Sequence, residues 1–214
     1  VYFAERLYAR VGMVQRAIEV AEQDPFIEIG YAARRKEKEK VLGFIADHPQ
    51  IEPTGDLHGI WYFQLGEFEA ALPLLKASID QTNGGGAHRI SFYDVSWYLA
   101  YAHVLLAQDD PYGDIILGKI KEVTEEFSPE SSPSFDLSQA AAGVEMLSGN
   151  PDRAVDWLEA AVDRGNTYLD LTLHPTFAPL KENGRYKALQ ERMEIKAIEY
   201  RDEFEAKMAD YKGT

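Results

Sequence analysis

Apolar residues recur at steps of three and four along most of the chain, the period of a helix with one buried face. Alternating apolar and polar positions, the mark of a half-buried strand, are scarce. The pattern therefore predicts an all-α fold. Its most regular stretch, residues 54–81, reads TGDLHGIWYFQLGEFEAALPLLKASIDQ. Gly59 and Tyr62 stand three apart, and Leu65, Gly66, Phe68, Ala71 and Leu75 follow. Gly and Ala let two helix axes approach closely, large side chains fill the space beside them, and Gly66 suits the turn between helices. This predicts a helical hairpin.

The same order recurs. Residues 136–164 offer Ala142, Leu147, Gly149, Ala154, Leu158 and Ala161. Residues 91–124 offer Leu99, Ala100, Leu106, Ala107, Ile115 and Ile116, and the N-terminal stretch offers Tyr8, Gly12, Ala17 and Ala21. Aligning Gly66, Ala107 and Gly149 as turn residues gives a period of 41 to 42. Extended connections at residues 83–86 (Asn-Gly-Gly-Gly) and 128–134 absorb the length. Residues 26–47 predict one more helix or helix pair. Their RRKEKEK run, residues 34–40, predicts a solvated helix face with pairs such as Arg35 with Glu39. Pro73, inside the second helix of the best unit, should bend it near its start.

These units resemble the tetratricopeptide repeat family, most specifically over residues 54–81 and next over 136–164. The spacing is longer than that family's standard 34. The other two units depart from its pattern: Glu5 stands where a small residue is expected, and Asp109-Asp110-Pro111 reads as an insertion in a turn. The later segment HPTFAPLKENGRYKAL is more specific than any single repeat. It resembles the segment that closes the repeat regions of bacterial multidomain signalling proteins, among them transmembrane winged-helix regulators and class III adenylate cyclases. The residues that match are Trp157, Leu158, His174, Pro175, Phe177, Pro179, Leu180, Arg185, Tyr186 and Leu189. The resemblance implies a regulatory or sensory repeat domain joined to an effector outside this chain. No winged-helix or cyclase residues are present, so neither activity carries over. The expected organisation is a repeat array over residues 1–165, a Pro-containing plug over 166–184 and a long helix over 185–214, in one structural domain. Pro175 and Pro179 interrupt any continuous helix, and Phe177 and Leu180 are placed to plug the last repeat.

Residues 185–211 predict one helix of about 40 Å, at 1.5 Å per residue. Its apolar stripe is Leu189, Met193, Ala197, Tyr200, Phe204, Met208 and Tyr211. Its seven positions span 22 residues in six turns, near 3.67 per turn, which differs from the 3.5 of a left-handed coiled coil. Packing against the repeat body is the expectation, ahead of a self-pairing zipper. Where the stripe outruns the body, Tyr200, Phe204, Met208 and Tyr211 would form a homodimer contact.

Charge narrows the partners. The 36 acidic and 22 basic residues of the 214 leave a formal charge of -14. That argues against nucleic acid and against an anionic membrane surface, which both need clustered Lys and Arg. With no cysteine, disulfides, thiolate catalysis and Cys-ligated zinc are excluded. No apolar run approaches the roughly 20 residues of a membrane helix. The chain opens on Val1 inside a helical pattern, without a starting Met or a signal peptide, so a cut-out from a longer protein is expected. Both a periplasmic place behind a membrane helix and a cytoplasmic one fit.

Candidate chemistry is sparse. His48, His58, His88, His103 and His174 show no HxxxH or HExxH spacing. His103 should pack between helices and His174 should cap a turn. The Asn83-to-Gly86 run follows a helix rather than a strand, with no GK[ST] after it, and reads as a connector. Asp109, Asp110 and Asp114 hint at calcium, without the bidentate Glu such a loop needs. No catalytic residue, metal site or cofactor is assigned, and the chain is read as a non-enzyme.

What remains is surface. The first helix of each pair lines the inner side of a stacked array. Counted on the face opposite the small residues, it presents Asp56, Ile60 and Phe63, then Asp94, Trp97, Tyr101 and Val104, then Asp136, Gln139, Gly143 and Met146. Aromatic anchors would hold a peptide or partner domain there, and the acids would steer a basic segment. In the alternative, Trp97 and Tyr101 are core. The expected function is a protein–protein interaction module in bacterial signalling or transcription control. The rivals are an oligomerisation domain working through the C-terminal helix and a small-molecule sensor with an apolar pocket by Trp97 and Tyr101.

Overall fold

The structure is a computed structural model that describes residues 25–48, 55–82, 90, 95–132, 134–164 and 174–212. The unit built on Tyr8, Gly12, Ala17 and Ala21, the Asn83-to-Gly86 connector, His88 and Asp94 lie outside the described residues. All regular structure among the described residues is helical, as the sequence pattern predicts. Among the described residues four hairpins follow one another: α1 (Pro25–Arg34) with α2 (Lys38–Asp47), α3 (Gly55–Leu65) with α4 (Phe68–Thr82), α5 (Val95–Ala107) with α6 (Tyr112–Thr124), and α7 (Phe135–Leu147) with α8 (Pro151–Asp163). A 3₁₀ segment (Pro175–Glu182) and α9 (Gly184–Lys212) close the array.

Each hairpin turns on one residue in the left-handed region: Lys36 at φ 63°, Gly66 at 84°, Asp109 at 55° and Gly149 at 79°. The backbone hydrogen bonds around it repeat. Its own N–H donates three residues back, and the next N–H donates five back: Lys36 to Ala33 and Glu37 to Ala32, Gly66 to Phe63 and Glu67 to Tyr62, Asp109 to Leu106 and Asp110 to Leu105, Gly149 to Met146 and Asn150 to Glu145. This is a Schellman ending used four times. It satisfies carbonyls that the end of each first helix would otherwise leave open.

Two expectations change here and a third holds. Residues 35–37 of the charged run form the first hairpin's turn, while Lys38, Glu39 and Lys40 are exposed on the first turn of α2; Arg35 pairs with Glu37 at 2.6 Å rather than with Glu39, and Lys38 reaches Glu67 across the hairpin boundary. The third turn residue is Asp109, two positions beyond Ala107. Asp tolerates the left-handed conformation better than most residues because its short polar side chain bonds locally. The Asp109-Asp110-Pro111 run is the expected insertion: four residues separate α5 from α6 against two between α3 and α4, and Asp110 accepts a hydrogen bond from the Tyr112 N–H at 2.9 Å where α6 starts.

Close approach follows the small residues. A Cβ on Gly59 would meet Leu75 at 3.1 Å, which is the α3–α4 contact expected from sequence. Counting seven back from the second, third and fourth turns gives Gly59, Ala102 and Ala142, all buried, whereas the first turn gives the larger Ile29, also buried. The first helices also pack on one another in sequence, α1 on α3, α3 on α5 and α5 on α7, while α2, α4 and α6 each lean on the following first helix. The first helices thus form a continuous inner row. α5 lies at the centre: Val95, Tyr98, Leu99, Ala100, Tyr101, Ala102, Val104 and Leu105 are buried, as a helix apolar on every side requires. Pro73 stands exposed six residues into α4, which continues past it.

The closing segment behaves as the prolines dictate. It winds as a 3₁₀ turn, and Phe177 and Leu180 are buried against Ala141, Ala142, Trp157 and Leu158 of the last hairpin. In α9, Leu189, Met193 and Ala197 are buried, so this part of the stripe packs against the body. Arg185 pairs with Asp156 and Glu159 at 2.7 Å, Arg192 pairs with Asp163 at 2.9 Å, and Lys196 donates to the Val162 carbonyl at 2.9 Å. No helix among the described residues is long and apolar enough to cross a membrane.

Candidate functional site

The shared turn fixes a register for the inner row. In the second hairpin Asp56, Ile60 and Phe63 stand ten, six and three residues before Gly66. The equivalents before Gly149 are Gln139, Gly143 and Met146, as read from sequence. Before Asp109 they are Leu99, His103 and Leu106. The slip from Ala107 to Asp109 therefore displaced the third set by two residues. Two residues turn a helix by about 200°, which brings a different face inward.

The consequence is concrete. Tyr101 is 3% exposed and faces the Tyr112 ring at 6.4 Å on α6. Its burial, with Tyr112, Asp80 and Asp110 beside it, pushes the phenol up to about 12. Trp97 is half-buried and packs on the same central core. These two belong to the core alternative. Phe63 is fully buried and offers no surface to a partner. Ile60 is half-buried on the central core, Gln139 is half-buried, and Met146 packs against the C-terminal cluster. Gly143 is a contact rather than a groove floor, since a Cβ there would meet Leu99 at 2.3 Å. The side chains of Asp56 and Asp136, like Asp94, lie outside the described residues. On α9, Tyr200 is exposed and Phe204 half-buried, and the side chains of Met208 and Tyr211 lie outside the described residues.

His103, which the slip had set aside, stands at the centre of the inner row. Its Nδ1 lies 2.8 Å from Thr176 Oγ1 in the 3₁₀ segment. Its ring meets Phe63 at 5.4 Å and Phe68 at 5.2 Å. His174 arrives from the other side as the N-cap of the 3₁₀ turn, and its Nδ1 accepts the Thr176 N–H at 3.4 Å. Its ring lies 5.1 Å from Phe63 and 5.5 Å from Phe177. Both local readings of these histidines hold: one packs between helices and one caps a turn. Sequence gave no signal that residues 71 apart would share Thr176.

Comparison with protein-family models, with curated proteins and with solved structures finds no match to this chain.

The electrostatics of the cluster follow from what surrounds it. Burial lowers His103 to about 4. Burial lowers His174 to about 3, helped by His103, Arg34 and Lys36. Both rings are therefore neutral at pH 7. Lys36 donates its Nζ to the Gln64 carbonyl and is held below the ordinary lysine value by burial and by Lys181. Chemically the cluster offers two neutral imidazoles under an aromatic roof and a rim of cations. Among the described residues no group of three or more His, Asp or Glu could hold a metal ion. The 3₁₀ segment lies over the turn end of the inner row, so part of the surface expected to be free is covered by the chain itself.

Proposed function

We propose that this chain is a non-catalytic interaction module of the tetratricopeptide class, binding a peptide or partner domain along its inner row of first helices. The observation that carries the reading is the fourfold turn, with its repeated pair of hydrogen bonds and first helices stacked in register. Such an array holds a preformed surface, which lowers the ordering cost of a bound segment. The formal charge of -14 favours a partner with basic residues. The likeness of residues 174–189 to the closing segments of bacterial signalling proteins supports a place in signalling or transcription control.

The test is selection of binders from a displayed library of random 12-residue peptides, followed by amide chemical-shift mapping on the chain. The reading expects enriched basic peptides whose shifts centre on Ile60 and Gln139, on the part of the inner row that the 3₁₀ segment leaves uncovered. Absence of enrichment, or shifts centred on the outer helices α4, α6 and α8, would overturn it.

One observation favours a second reading, oligomerisation through α9. Ile195, Ile198 and Tyr200 are 57%, 47% and 37% exposed there. Light scattering of the chain with and without residues 199–214 separates the two. A dimer that becomes a monomer on deletion supports the second reading.

A further inference from the structure

We propose that residues 174–182 form an acid-released latch over the inner row, docked while the His103 and His174 rings are uncharged and let go when they take up protons. This does not depend on what the inner row binds. The geometry carries it. The His174 cap needs a lone pair on Nδ1 to accept the Thr176 N–H, and a proton there abolishes the bond. Thr176 is 2% exposed and is the shared partner of both rings, so the hydrogen-bonded link between the segment and α5 passes through it. Phe63, Phe68 and Phe177 pack apolar surface against the half-buried rings, which solvates an imidazolium poorly.

The charged neighbours add to the effect. α1 and its turn bring Arg34 and Lys36, α5 brings His103 itself, and the segment brings Lys181 next to Lys36. All are cationic or become so. α3 and α4 contribute Phe63 and Phe68 to the rings. The carboxylates Glu67, Glu145 and Glu182 pair with Lys38, Arg153 and Lys187. No carboxylate among the described residues bonds either ring.

The sign follows from the lowered values, about 4 for His103 and about 3 for His174. An undocked imidazole titrates near 6.5. Docking is therefore at full strength above about pH 6.5 and weakens as pH falls towards 4. The loss approaches tenfold per pH unit for each ring, or on the order of a thousandfold for the pair at pH 5.

Amide hydrogen exchange on the whole chain tests this, corrected for intrinsic rates, between pH 7.5 and 5. Two reporters are inside the segment's own bonding, Phe177 N–H to the His174 carbonyl and Asn183 N–H to the Leu180 carbonyl. Their protection should fall steeply below pH 6.5 while residues 137–147 of α7 keep theirs. The double variant His103→Gln, His174→Asn keeps polar partners for Thr176 and an N-cap oxygen but does not titrate. In it the fall should vanish. The same fall in the variant, or parallel loss across α7, overturns the latch. A second measurement stands if the variant does not fold: NMR titration of the wild-type imidazole carbons should show both rings uncharged in the docked state at pH 6, and midpoints near 6.5 in that state would overturn the proposal.

Discussion

The second and third hairpins make one turn with different residues. In the second, Gly66 takes the left-handed conformation with no Cβ to obstruct it, and two residues separate α3 from α4. In the third, Asp109 takes it at a cost of about 1 kcal/mol, four residues separate α5 from α6, and Asp110 and Pro111 launch the second helix. The hydrogen bonds that result are the same. The turn residue therefore does not choose the geometry. The packed helices do, through the buried small side chains at Gly59 and Ala102. A chain that must bring those positions against a partner helix tolerates a strained residue at the turn.

The strongest way to break that comparison is to test which third-hairpin face is core. Tyr101→Ala should lower stability by about 3 kcal/mol or more, in line with truncating a buried aromatic, and Phe63→Ala in the second hairpin should cost as much. Urea denaturation measures both; a loss under about 0.5 kcal/mol for Tyr101 would return it to a surface role.

Next in size is the contact between first helices. Gly143→Ala drives a Cβ to 2.3 Å from Leu99 and should cost about 1 to 3 kcal/mol. Gly118→Ala, on α6 where nothing lies within 4 Å, should stabilise instead by up to about 1 kcal/mol through helix propensity. Equal signs for the two would mean that α5 and α7 do not approach as described.

The smallest effects sharpen the turn itself. Gly66→Ala should lose about 1 kcal/mol, and Asp109→Gly should gain at most about 1 kcal/mol, because strain is introduced in one and relieved in the other. Opposite shifts of the urea midpoint are the expected result. Two losses would show that Asp109 contributes something besides its backbone angle.

Much of this architecture was legible along the chain. The three-and-four period, the small residues of the second and fourth units, the plug residues Phe177 and Leu180, and the buried stripe Leu189, Met193 and Ala197 were all visible as local patterns. The first hairpin turn was not, since Lys36 in a charged run carries none of the signals by which Gly marks a left-handed turn. The third register was not, since Asp109 carries them only weakly. That two-residue slip rotated α5 and exchanged His103 for Tyr101.

The sequence alone determined that the chain folds as stacked helices, because helix period and small-residue spacing are properties of neighbours a few positions apart. It also determined that His103 packs between helices and that His174 caps a turn. Only the tertiary structure decided that His103 and His174 meet over one threonine, under Phe63 and beside Lys36. That meeting depends on how four hairpins add up in space. A small error of register in one of them, invisible to hydropathy, changes which side chain faces inward.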